Sequence, residues 1–140
     1  VAHNNLVGVG REQDWASHNI EHELSALYDV AHGAGLAVIF PAWMTYVMKH
    51  DINRFAQIAV RVWGCHMNFT NPEETAREGI ERFKQFLTSI GMPITFKELG
   101  AREEDIPLMV EKLGLGETGT IGRFVPLKAK DVENIYRLAL

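Results

Sequence analysis

Histidine supplies most of the reactive chemistry in this 140-residue chain. It has six: His3, His18, His22, His32, His50 and His66. Three of them fall within fifteen residues. His18 and His22 are four apart, so one face of a helix presents both imidazoles. Neutral imidazole is the commonest metal ligand and suits zinc, iron and copper. The pair could share an ion, or one ring could ligate while the other moves protons. His32 constrains the geometry. On one straight helix it would lie about 21 Å along the axis from His18, too far for a metal with bonds of about 2.1 Å. A site joining His18 and His32 therefore requires a bend between them. Asp29 and the Gly33/Gly35 pair could supply it, and the glycines would also admit close backbone approach to a ligand. The pattern is not His-Glu-x-x-His, because Glu23 follows the second histidine.

The elements that must carry these residues read as helices. Asp14 is a candidate N-cap for a helix from about Asp14 to Tyr28, with Ile20, Leu24, Leu27 and Tyr28 at helical spacing. Residues 29–35 read as a turn or a tight helix junction. A largely apolar helix then runs from Leu36 to about His50, bent by Pro41. Asp51 caps a helix over Ile52–Val62. Asn71-Pro72-Glu73-Glu74 opens another that Gly91 stops. Shorter helices are expected over Arg102–Leu113 and Lys130–Leu140. No segment alternates as a strand would. The expectation is one all-α domain, a helical bundle over residues 1–140.

Composition narrows the function classes. Hydrophobic residues are 46% and charged residues 23%, a globular mix. Fourteen basic against eighteen acidic residues give net −4, which argues against a nucleic-acid partner. The longest uncharged stretch, Gly33 to Met48, contains Pro41 and falls short of the ~20 residues a bilayer requires, so no membrane partner is expected. The single cysteine, Cys65, forms no internal disulfide and suits a reducing, cytoplasmic setting. Cys65 reads as a small buried hydrophobe.

The run Asp14-Trp15-Ala16-Ser17-His18-Asn19-Ile20-Glu21-His22-Glu23-Leu24-Ser25-Ala26, then Asp29-Val30-Ala31-His32-Gly33-Ala34-Gly35-Leu36-Ala37 and Phe40-Pro41-Ala42, closely resembles the iron-containing (group III) alcohol dehydrogenases. It looks most like their NADH-dependent butanol dehydrogenase branch. The resemblance covers nearly the whole chain but only the C-terminal, all-helical, metal-binding part of such an enzyme. It implies two metal ligands, His18 and His32, and a further histidine, His22, lining the site near substrate and nicotinamide. The ion would be Fe2+ or Zn2+. NAD(H) or NADP(H) would be held mainly by an upstream α/β domain, which would also supply an Asp and a His as the other two ligands. The activity implied is interconversion of primary alcohols, such as butanol, with aldehydes. The full-length protein is expected to be a homodimer, and this piece alone to be inactive.

Other residues receive weaker expectations. Glu23 could orient His22, although its side chain leaves the helix about 100° away; a salt bridge or a solvated position is favoured. Asp14 reads as a cap rather than a ligand, and Asp29 as a turn residue or a support for His32. Phe40 and Trp43 could line an apolar alcohol pocket. His50 is expected to be exposed and His66 to lie in a loop. Two rival readings remain: a non-catalytic helical interaction domain with structural histidines, and a metal hydrolase that needs no nicotinamide.

Overall fold

The computed structural model describes residues 6–140; His3 lies outside the described residues. The first helix, α1 (Ala16–Tyr28), buries Ala16, Ser17, Ile20, Glu21 and Leu24 along one stripe. It starts two residues later than the sequence reading. Asp14 nonetheless caps it, since its Oδ1 accepts the Ala16 N–H at 2.8 Å. Asp29 ends α1 in the left-handed region at φ 52°, and its N–H bonds to the Ser25 carbonyl. Aspartate tolerates that conformation better than most residues, through local hydrogen bonding of its short side chain.

The expected turn over residues 29–35 is corrected here. Only residues 29–31 reverse the chain, and α2 (His32–Val47) already begins at His32. Gly33 and Gly35 therefore lie inside a helix. Gly35 is buried, for a reason that becomes plain at the site. Pro41 sits within α2 without ending it. The helix is apolar on most sides, as a central helix must be.

Asp51 caps α3 (Ile52–Trp63) by accepting the Arg54 N–H, as the sequence suggested. Gly64 closes α3 at φ 66°. Pro72 opens α4 (Pro72–Ser89), but Asn71 makes no capping bond; the Asn68 side chain accepts the Thr70 and Asn71 N–H groups instead. α3 and α4 make the most extensive helix pair, crossing through small residues that include Ala59 and Gly79. One short helix was not anticipated. It is α5 (Phe96–Leu99), opened by a capping box between Thr95 and Glu98. A 3-10 turn (Glu103–Asp105) leads into α6 (Ile106–Lys112), and α7 (Ala129–Arg137) closes the chain.

Among the described residues there is no strand, only an isolated antiparallel bridge between Ile121 and Leu127. None of the described helices is long and apolar enough to cross a membrane. The core joins α1, α2, α6 and α7 through Ile20, Ile39, Met48, Ile106, Ile135 and Tyr136. The Tyr136 hydroxyl donates to the Ile20 carbonyl at 2.6 Å, fixing α7 to the middle of α1. The Asp14 Oδ2 accepts the N–H groups of Arg123 and Phe124, fixing the loop before α7 to the start of α1.

On the far side of the bundle, the Tyr28 hydroxyl donates to Asp105, whose carboxylate also receives Arg102. The Tyr28 hydrogen bond, then the Arg102 contacts, hold the Asp105 carboxyl below its usual range. A depressed carboxylate stabilises the fold above its unfolded pKa, and that contribution is lost as pH falls through the lower folded value. Tyr28→Phe is expected to move the Asp105 titration up towards its ordinary value of about 3.9 and to shrink this acid-side loss. An NMR titration of the Asp105 carboxyl, with thermal melts across the acid range, reads both. An Asp105 titration unchanged in Tyr28→Phe would contradict the assignment.

Candidate metal centre

The reversal at Asp29 lays the first residue of α2 against the middle of α1. His32 thereby comes to rest between the two α1 histidines. Its ring centroid is 5.3 Å from that of His18 and 5.3 Å from that of His22. The bend that the spacing demanded is present, and it comes from Asp29 rather than from the glycines. Asp29 itself is exposed and serves the turn. Trp15 packs edge-on against His18 at 4.9 Å.

Beneath the three rings lies Glu21, a residue the sequence reading passed over. Its side chain is fully buried, whereas that of His32 is 46% exposed. One carboxylate oxygen meets the Nδ1 of His32 and the other accepts the Ser25 hydroxyl. Ser25 is one turn further along α1, so this contact follows the helical repeat. The space for Glu21 comes from Gly35: a Cβ there would stand 2.8 Å from both Cγ and Cδ of Glu21. The glycine that looked like a turn residue, or one admitting a ligand, makes room for a buried carboxylate. A signal existed in the sequence. Glu21 falls on the apolar stripe between Ile20 and Leu24, where an unpaired acid has no place.

Glu23, weighed as the orienter of His22, is half-buried elsewhere on the helix. Its charge and that of Glu21 add to burial in pushing the Tyr136 hydroxyl well above the usual range. Burial is also the main cause holding the His18 ring below its usual pKa, with the neighbouring His32 and His22 adding to it. That direction favours the neutral imidazole, the form that binds metal.

Glu21, His22 and His32 each offer a donor atom, all within 4.8 Å of one another. Both Glu21 oxygens are already engaged, so the donors facing outward are the imidazoles. Two imidazoles this close together suit a borderline divalent ion such as iron or zinc. The donor chemistry therefore fits such an ion.

His18, His32, Trp15 and Leu36 line an open cleft of about 960 Å³. Phe40 and Trp43 line a different one, of about 400 Å³, together with Phe55, Ile58 and Phe124. No histidine lines that second cleft, though the strand of chain at residues 12–14 borders both. His50 is exposed and His66 lies in a loop, as expected, and Cys65 is buried, with its thiol pushed up by that burial.

Comparison with known proteins identifies the family and the fold. Residues 5–140 match the family model described as "Fe-containing alcohol dehydrogenase family, C-terminal". The chain is 37% identical to NADH-dependent butanol dehydrogenase A of Clostridium acetobutylicum over 138 residues, which are 98% of this chain and 35% of that protein. It is 36% identical to the probable NADH-dependent butanol dehydrogenase 1 of Bacillus subtilis, over 100% of this chain and 36% of that protein. The crystal structure of NADH-dependent butanol dehydrogenase A from Thermotoga maritima superposes with a TM-score of 0.88 at 41% identity, covering 97% of this chain and 35% of that one. The chain thus spans about a third of the length of these relatives. With its helical fold and a sequence match running from residue 5 to residue 140, it belongs to the iron-containing alcohol dehydrogenase family and corresponds to the C-terminal part of such proteins.

Proposed function

We propose that this chain is the helical metal-binding part of an NAD(P)H-dependent dehydrogenase that interconverts primary alcohols, such as butanol, and aldehydes. The observation carrying this reading is the placement of His32 between His18 and His22 over a buried carboxylate. His18 and His32 are the proposed metal ligands, for Fe2+ or Zn2+. His22, exposed at the same cluster, faces substrate and nicotinamide. The dinucleotide and the remaining ligands belong to another part of the polypeptide. The 1–140 unit is one domain that does not turn over alcohol alone, and the whole enzyme is a homodimer.

When bound, a divalent ion supplies Lewis acidity, lowering the pKa of an alcohol hydroxyl or polarising an aldehyde carbonyl. The chain's own residues do the rest of what this part contributes. His18, held neutral by burial, presents a lone pair rather than a charge. Glu21 turns the His32 ring. His22 can hold or pass a proton at the hydroxyl oxygen of the substrate. Trp15 and Leu36 form the apolar side of the cleft and limit water there.

Removal of divalent metal from the enzyme that carries this chain should abolish nicotinamide-dependent alcohol oxidation, and Fe2+ or Zn2+ should restore it. Absorbance of the reduced nicotinamide follows the reaction directly. An ester or phosphate hydrolysis that persists without nicotinamide would favour the hydrolase reading. Full alcohol oxidation in the chelated enzyme would end the present one.

A further inference from the structure

Resting on that reading, we infer that Glu21 is a positioning residue that sets the tautomer of His32, holding the ring proton on Nδ1 so that Nε2 keeps its lone pair for an incoming ion. The geometry carries this in three parts. The Glu21 side chain is completely buried, and His32 is its only ion-pair partner among the described residues. Its two oxygens divide their work: one faces His32 Nδ1 and the other accepts from Ser25. Gly35, across the helix pair, has no side chain where Glu21 lies, and any Cβ there would displace the carboxylate.

A buried carboxylate accepts hydrogen bonds and donates none. Against a neutral imidazole it therefore selects the tautomer with hydrogen on the facing nitrogen. Imidazole has one proton for two nitrogens, so the proton on Nδ1 leaves Nε2 bare. A solvated histidine side chain favours the opposite tautomer. Glu21 thus fixes both which nitrogen can ligate and how the ring is turned, the service a carboxylate renders a metal-bound histidine elsewhere. Ser25 keeps the carboxylate from rotating, and Gly35 keeps it from being crowded out. Three residues outside the donor set would then govern the site.

The test separates this role from simple packing. Glu21→Met keeps the length and volume of the side chain, removes the buried charge and should fold at least as well. In the metal-free chain, long-range proton–nitrogen NMR correlations at a pH where the ring is neutral report which nitrogen of His32 carries the proton. The wild type is expected to show Nδ1–H, and Glu21→Met a shift towards Nε2–H. Gly35→Ala, which leaves the carboxylate but takes its space, should shift the same way. In the whole protein carrying this chain, Zn2+ affinity should fall by about 10–100-fold in Glu21→Met. A wild-type ring protonated on Nε2, or a tautomer unchanged by Glu21→Met, would overturn the inference. His32→Ala with undiminished Zn2+ binding would instead overturn the metal reading, whatever the NMR result. Loss of Zn2+ in His32→Ala, with wild-type affinity and tautomer in Glu21→Met, would remove the role of Glu21 alone.

Discussion

His32→Ala is expected to strip the metal from the protein carrying this chain, whereas His22→Ala keeps the metal and slows turnover. The two rings are 5.3 Å apart, yet the proposed function gives them different roles. His32 is the one histidine of the cluster contributed by α2, and it is backed by the Glu21 carboxylate. Without it α2 supplies no histidine to the α1 pair, so the ion would lose both a ligand and the link between two helices. Activity should drop to background with it. His22 lies on the exposed side of α1. If it passes a proton at the substrate, its removal costs about 10²–10⁴-fold in turnover, the usual range for a lost acid–base group. Elemental analysis of the purified variants beside steady-state kinetics reads both effects. Stoichiometric metal in His32→Ala would contradict the assignment of that residue. An equal loss of metal in His22→Ala would make His22 a ligand rather than a proton carrier.

The largest effect on stability is expected at the crossing of α3 and α4. Gly79→Val should destabilise the fold by about 3 kcal/mol, the upper part of the range for overpacking a tight interior. For a domain of this size that corresponds to a Tm lower by roughly 10 °C. A Cβ on Gly79 would sit 2.8 Å from the Ala59 Cα and closer still to its Cβ. Backbone cannot rotate away as a side chain can, so α3 and α4 would have to separate. Both residues are buried at that crossing. Valine adds a branched side chain in a helix, where its rotamers are restricted. Gly79→Ala should be milder, because it regains up to about 1 kcal/mol of helix propensity. Calorimetry settles the matter; a Gly79→Val melt within about 2 °C of wild type would show that the crossing yields without cost.

Much of this architecture was legible because the helices announce themselves through caps and apolar stripes. Asp51 before α3 and Pro72 at the start of α4 are local signals, and the structure keeps both. The start of α2 was misread for a physical reason. His32-Gly33-Ala34-Gly35 has poor helix propensity, so sequence alone favours a turn. Packing overrides propensity, since Gly35 must be small wherever Glu21 is buried. The same contact explains why Glu21 was missed. Its partners Ser25 and His32 lie four and eleven residues away, and only the chain reversal makes the second a neighbour. The grouping of His18, His22 and His32 was legible through the family resemblance, since spacing says only that a site joining His18 and His32 needs a bend. The segregation of Phe40 and Trp43 into a separate cleft was not, since helical periodicity reports which face is buried but not which neighbour it meets.

The histidine-bearing helix is fastened from the opposite end of the chain. Asp14 holds the amides of Arg123 and Phe124, and Ile20 holds the Tyr136 hydroxyl, across 109, 110 and 116 residues. This gives site assembly a direction in time. As the polypeptide leaves the ribosome, His18, His22 and His32 emerge well before the clamps on α1. Until α7 has emerged and docked, the α1–α2 hairpin is a short helical pair without its cover, and such a pair is marginal on its own. A nascent chain stalled before Tyr136 therefore carries the three histidines without the contact that fixes α7 to α1.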